Sequence, residues 1–101
     1  WRSTGLGQYQ KAIEHYTLAL AISREIGDRR GEGNHLGNLG SAYYFLGQYQ
    51  KAIEHYTMAL DISREIGDRR GEGTHLGNLG SAYYIASGST RRRSSTTRWR
   101  S

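Results

Sequence analysis

LGQYQKAIEHYTMALDISREIGDRRGEGTHLGNLGSAYY, residues 46–84, is the stretch that decides the fold, because residues 6–44 read almost the same: LGQYQKAIEHYTLALAISREIGDRRGEGNHLGNLGSAYY. The offset is 40 residues, and 36 of the 39 positions are identical. Only Leu18 to Met58, Ala21 to Asp61 and Asn34 to Thr74 differ. Repetition at such a period marks a solenoid, in which each unit buries its apolar face by stacking on a neighbour. The functional question is therefore what a repeat stack offers a partner.

Within one unit, Tyr49, Ala52, Ile53, Tyr56, Ala59, Leu60 and Ser63 recur at three- and four-residue spacing. That spacing predicts an amphipathic helix over about 48–66, with Glu54, His55, Arg64 and Glu65 on other faces. Gly67 is placed to end it in a left-handed conformation, and Asp68 to cap the next helix. Gly27 and Asp28 repeat this punctuation. A second helix is predicted over about 29–45, with Leu36, Leu39, Tyr43 and Leu46 on one side. It contains Gly33, Gly37 and Gly40, each costing about 1 kcal/mol relative to alanine. Such a helix needs a close neighbour, and Ala52 and Ala59 are small enough to meet it. The expectation is all-α: antiparallel helical hairpins packed in series, with helices at about 8–26, 29–45, 48–66 and 69–86.

Composition narrows the function. With no cysteine among 101 residues, disulfides and thiolate metal sites are excluded. No apolar run approaches a membrane span, and no signal-peptide pattern opens the chain, so a cytoplasmic setting and no membrane partner are expected. The net charge of +5 comes wholly from Arg91, Arg92, Arg93, Arg98 and Arg100, because residues 1–86 hold nine basic and nine acidic side chains. The repeats therefore carry no net basic charge for phosphates, and no specific nucleic-acid partner is expected.

Catalytic and cofactor patterns are weak. The four histidines are two positions seen twice, His15 with His55 and His35 with His75, and none has metal-ligand helical spacing. Gly31, Gly33 and Gly37 form Gly-x-Gly-x-x-x-Gly, one residue too long for a dinucleotide fingerprint and preceded by no strand. Every serine up to residue 86 except Ser3 sits in repeat context, with no Gly-x-Ser-x-Gly elbow. The reading is a chain that is not an enzyme and takes neither metal nor cofactor.

Asn38-Leu39-Gly40, Tyr43, Gly47, Tyr49, Ala52, Tyr56 and Ala59-Leu60 follow the tetratricopeptide repeat pattern in order and spacing. Residues 6–86 thus resemble that family, in a 40-residue variety similar to the repeats of kinesin light chains, cell-polarity scaffolds and bacterial signalling proteins. The resemblance implies a right-handed solenoid of A and B helices, here in the phase B-A-B-A. It also implies a noncatalytic scaffold that binds a partner peptide or helix on a concave face lined by A helices. Carried over by position, that face is Asn34, Asn38, Ser41, Tyr44 and Phe45 with Thr74, Asn78, Ser81, Tyr84 and Ile85. Asn38 and Asn78 match an asparagine that relatives use to hold a peptide backbone or carboxylate. The family's two-carboxylate clamp also needs basic groove residues, and Gly37 and Gly77 stand where one is expected. Tyr9, Tyr16, Tyr43, Tyr49, Tyr56 and Tyr83 are expected to be core wedges. The alternative is a head-to-tail self-assembling unit, since the last A helix lacks the B helix that another copy carries first.

Residues 1–5 are expected to be an unstructured leader and 87–101 an unstructured Arg-rich tail. The tail is read as a shifted frame of the repeat, on the supposition that the gene continues with codons for Gly47 to Leu60. Codons GGG CAG TAC CAG AAG GCG ATC for Gly47 to Ile53, read one base on, give Gly88 to Arg93. Continuing to Leu60 gives Ser94 to Ser101, with Trp99 arising from a Met-Ala pair such as Met58-Ala59. Trp1-Arg2-Ser3-Thr4 fits the same shifted reading of Met58-Ala59-Leu60-Asp61. Both ends are thus read as out-of-frame remnants of a longer array.

Overall fold

The computed structural model describes the backbone of residues 4–100 and the side chains of residues 7–88. Four helices follow one another: α1 (Thr4–Ile26), α2 (Arg29–Phe45), α3 (Tyr49–Ile66) and α4 (Arg69–Arg100). Described residues contain no strand. Each helix packs on the next, and α2 also touches α4. The result is a pair of helical hairpins stacked in series.

The turns follow from the punctuation in the repeat. Gly27 and Gly67 adopt φ of 76° and 72°, left-handed values that a Cβ would strain. The carboxylates of Asp28 and Asp68 then accept from the backbone N–H of Gly31 (2.9 Å) and Gly71 (3.0 Å), capping α2 and α4. After α2 the chain reverses at Gly47, with φ of 84°.

Forty residues later that position is Ser87, and no reversal occurs. The chain continues as helix to Arg100. Residues 87–100, read from the sequence as an unstructured tail, continue α4, with no left-handed glycine and no proline between Arg69 and Arg100. The Ser87 hydroxyl bonds back to the Tyr83 carbonyl at 3.0 Å, in keeping with a continuing helix. At the other end, Thr4 and Gly5 belong to α1. The leader expected at Trp1, Arg2 and Ser3 and the final Ser101 lie outside the described residues.

Two apolar clusters hold the stack. Leu20, Leu36, Leu39, Ala59 and Ile62 join α1, α2 and α3. Ala52, Ile53, Tyr56, Leu60, Leu79 and Ala82 join α3 to α4. The buried arc of α3 includes Ile62, which lies off the stripe read from spacing, because α3 is covered by α2 on one side and α4 on the other. The glycines of α2 are contact points. A Cβ on Gly40 would lie 2.7 Å from the Tyr56 ring, and one on Gly37 2.7 Å from the His75 ring. Both helices approach α2 closer than any side chain there would permit.

Charged pairs repeat with the helices. Glu32, only 7% exposed, accepts from Arg24 of α1 (3.0 Å) and Arg29 of its own helix (2.7 Å). Glu72 takes the same two bonds from Arg64 (3.1 Å) and Arg69 (2.8 Å). Burial pushes the Glu32 carboxyl up, but the two guanidinium bonds outweigh it and hold the group below the usual carboxylate range.

Candidate functional site

The exposed faces of α2 and α4 run side by side and form a groove of about 600 Å³. The periodicity of α2 brings Arg30, Asn34, Gly37, Asn38 and Ser41 to one face at three- and four-residue steps. The same face of α4 supplies Arg70, Gly71, Thr74, His75 and Asn78, with Asp68 at its N-cap. Asn34, Asn38 and Thr74 are exposed, while Ser41 and Asn78 are half-buried. Asn34, Asn38 and Asn78 thus bring amide donors and acceptors to the lining of the groove. That arrangement can hydrogen-bond an extended backbone without selecting its side chains.

A smaller hollow of about 120 Å³ continues the groove, lined by Ser41, Tyr44, Phe45, Tyr56, Asn78 and Ser81. The Ser41 hydroxyl and the Tyr56 phenol are 2.8 Å apart. Burial raises the Tyr56 phenol, and this bond opposes the rise. Tyr44 meets both Phe45 and Tyr49 edge-on at 5.4 Å, and Phe45 stacks on Tyr9 of α1 at 5.8 Å. One end of the groove is thus polar and the other aromatic.

The structure brings Asn34, Asn38, Ser41, Tyr44, Phe45, Thr74, Asn78 and Ser81 around these two connected hollows. Tyr84 and Ile85 line neither. Tyr84 is 66% exposed beyond the end of the groove, and Ile85 is half-buried. Tyr83, expected in the core, is 57% exposed, because no helix covers that side of α4.

Sequence reasoning missed the charged end. Arg30 lies 3.5 Å from Asp68, and Arg70 has no carboxylate at ion-pair distance among the described residues. The signal was available, since Arg30 and Arg70 stand one helical turn before Asn34 and Thr74. His75 was also missed. It is 7% exposed, with its Nδ1 buried and unpartnered at the groove wall. Burial lowers its pKa, and the Asp68 carboxylate only partly opposes this. His15 and His55, in contrast, spend Nδ1 on the carbonyls of Lys11 (2.8 Å) and Lys51 (2.7 Å) of their own helices. Among the described residues no three His, Asp or Glu side chains cluster as a metal site. No helix among them is long and apolar enough to cross a membrane.

A sequence model of the tetratricopeptide repeat matches residues 4–65 and again residues 35–91. The chain belongs to the tetratricopeptide repeat family. No curated protein matches the chain. Among solved structures, the solution structure of a designed protein, DA05, superposes with a TM-score of 0.78 at 24% identity, over 83% of this chain and 84% of that one. At that identity the likeness shows the fold alone. Tetratricopeptide repeats generally mediate protein–protein contacts, so the family supports an interaction or scaffold role.

Proposed function

We propose that this tetratricopeptide stack is a noncatalytic interaction module whose α2–α4 groove receives an extended or helical segment of a partner protein. The observation that supports the reading is the row of amides, Asn34, Asn38 and Asn78, that line the α2–α4 groove. Asparagine side chains aligned at this spacing suit a peptide backbone, which repeats its own donors and acceptors. Arg70, with no partner of its own, adds a preference for an acidic residue or carboxylate in that segment. The aromatic hollow by Tyr44 and Phe45 suits an apolar side chain at its far end.

The test is selection from a library of short random peptides, followed by affinity measurement on variants. Asn38→Ala with Asn78→Ala together removes about 2 kcal/mol of net hydrogen bonding, or roughly 30-fold in Kd. Arg70→Ala weakens acidic peptides about tenfold and neutral ones little. Selected peptides that bind all these variants as tightly as the original chain would refute the groove assignment.

A further inference from the structure

The contact between α2 and α3 has a definite set of parts. A Cβ on Gly33 would lie 3.2 Å from Ile62, a tight fit, one on Gly40 would lie 2.7 Å from the Tyr56 ring, and Ser41 bonds to Tyr56. Arg29 of α2 clasps Glu65 of α3 through two bonds, one at 3.1 Å, and Arg30 reaches Asp68 just beyond α3. Each of these parts occurs a second time, on α4 or on α1 and the turn after it, without the contact across helices. On α4, Gly73 and Gly80 have nothing within 4 Å. On α1, Ile22 is 56% exposed, whereas its counterpart Ile62 is 4% exposed. Leu76 on α4 is 46% exposed against 1% for Leu36. Arg69 keeps its bond to Glu72 but has no equivalent of Glu65, and Glu25 on α1 is exposed without an ion-pair partner among the described residues.

We propose that these faces are two halves of one interface, and that copies of this chain join head to tail. In that joint α4 of one copy packs on α1 of the next as α2 packs on α3. Gly80 then receives the partner copy's counterpart of Tyr56, which is Tyr16, and Gly73 receives that of Ile62, which is Ile22. Arg69 and Arg70 on one copy meet Glu25 and Asp28 on the other, opposite charges in the register of the internal pairs. The three positions where the repeats differ support this. Leu18 and Met58, Ala21 and Asp61, Asn34 and Thr74 are all exposed, so none alters the contact that would be copied. The path of α4 also leaves the face open, because without a turn at Ser87 the following residues continue along the helix axis instead of folding back. The contact is heterologous, so it propagates and does not close at two copies.

Two substitutions at open positions test this by sedimentation velocity from low micromolar to near-millimolar chain. Gly80→Leu fills the slot on α4, and Ile22→Glu puts a charge on the face of α1. Both side chains lie in solvent in the single chain, so helicity by circular dichroism stays unchanged. The original chain is expected to grow in mass beyond two copies. Each variant alone stays at the single-chain 11.4 kDa, losing at least tenfold in association. An equimolar mixture of the two forms a one-to-one pair and stops there, since each supplies the half the other lacks. A single-chain mass for the original protein throughout, growth of either variant like the original, or no pairing in the mixture would each overturn the proposal. Pairing of Ile22→Glu with itself would mean a symmetric α4 contact and would overturn the head-to-tail arrangement.

Discussion

Gly40→Ala and Gly80→Ala are the same substitution at positions with nearly identical sequence neighbours, yet the structure assigns them opposite signs. Alanine is worth about 1 kcal/mol over glycine inside a helix. At Gly80 nothing lies within 4 Å of the new methyl, so the dilute chain gains that amount. At Gly40 the methyl falls 2.7–3.0 Å from three atoms of the Tyr56 ring. That ring is 3% exposed and tethered through its hydroxyl to Ser41 at 2.8 Å, so it cannot swing aside without losing a bond. Overpacking costs about 1–3 kcal/mol, and a lost hydrogen bond about 1 kcal/mol more. After the helix gain is subtracted, Gly40→Ala is destabilised by about 1–3 kcal/mol. The two variants differ by about 2–4 kcal/mol, which for a domain of this size separates their Tm values by at least about 10 °C. Thermal melts followed by far-UV circular dichroism at low micromolar concentration measure this. A Gly40→Ala chain as stable as the original would refute the close approach of α3 to α2, and a Gly80→Ala chain less stable than the original would refute the open face of α4.

Glu32→Gln lowers stability by about 1–2 kcal/mol in urea titration, more than Glu72→Gln, because Glu32 is better buried and its partner Arg29 also holds Glu65 of α3. Acid destabilises the chain in two steps. His75 has its pKa lowered by burial, so its contribution is complete above the ordinary imidazole value of about 6.5 and fades as pH falls below it. Glu32, Glu65 and Glu72 are held below the ordinary carboxylate range, so their contribution is complete above about pH 5 and is lost on further acidification. Melts across pH show both steps, and His75→Gln removes the upper one alone. Gly67→Ala costs about 1–2 kcal/mol, since its φ of 72° is strained for any residue with a Cβ.

Much of this fold is legible in the repeat because local and tertiary signals agree. The spacing from Tyr49 to Ser63 marks α3, and Gly67 with Asp68 places a turn and a cap where the structure has them. Ile62 escaped because a single amphipathic stripe assumes one covered side, whereas an inner helix of a stack is covered on two. The continuation of α4 has no periodicity to mark it, and its one signal is the loss of a glycine where Ser87 replaces Gly47. The amides of the groove could be placed by family position, but that register begins at Asn34 and so left out Arg30 and Arg70 one turn earlier. His75 has the same sequence neighbours as His35, apart from Thr74 in place of Asn34. Only the packing of α4 against Gly37 shows that it lies inside.

The central claim is that a partner segment lies along the α2–α4 groove, and backbone and side-chain amide NMR tests it most directly. Isotope-labelled Gly80→Leu chain, with its α4 face filled, is titrated with a selected peptide. Binding is expected to shift the side-chain amides of Asn34, Asn38 and Asn78 and the backbone signals of the Arg70 turn, leaving α1 unmoved. Shifts confined to α1 or to the outer side of α3, with the three asparagine amides unchanged, would contradict the account.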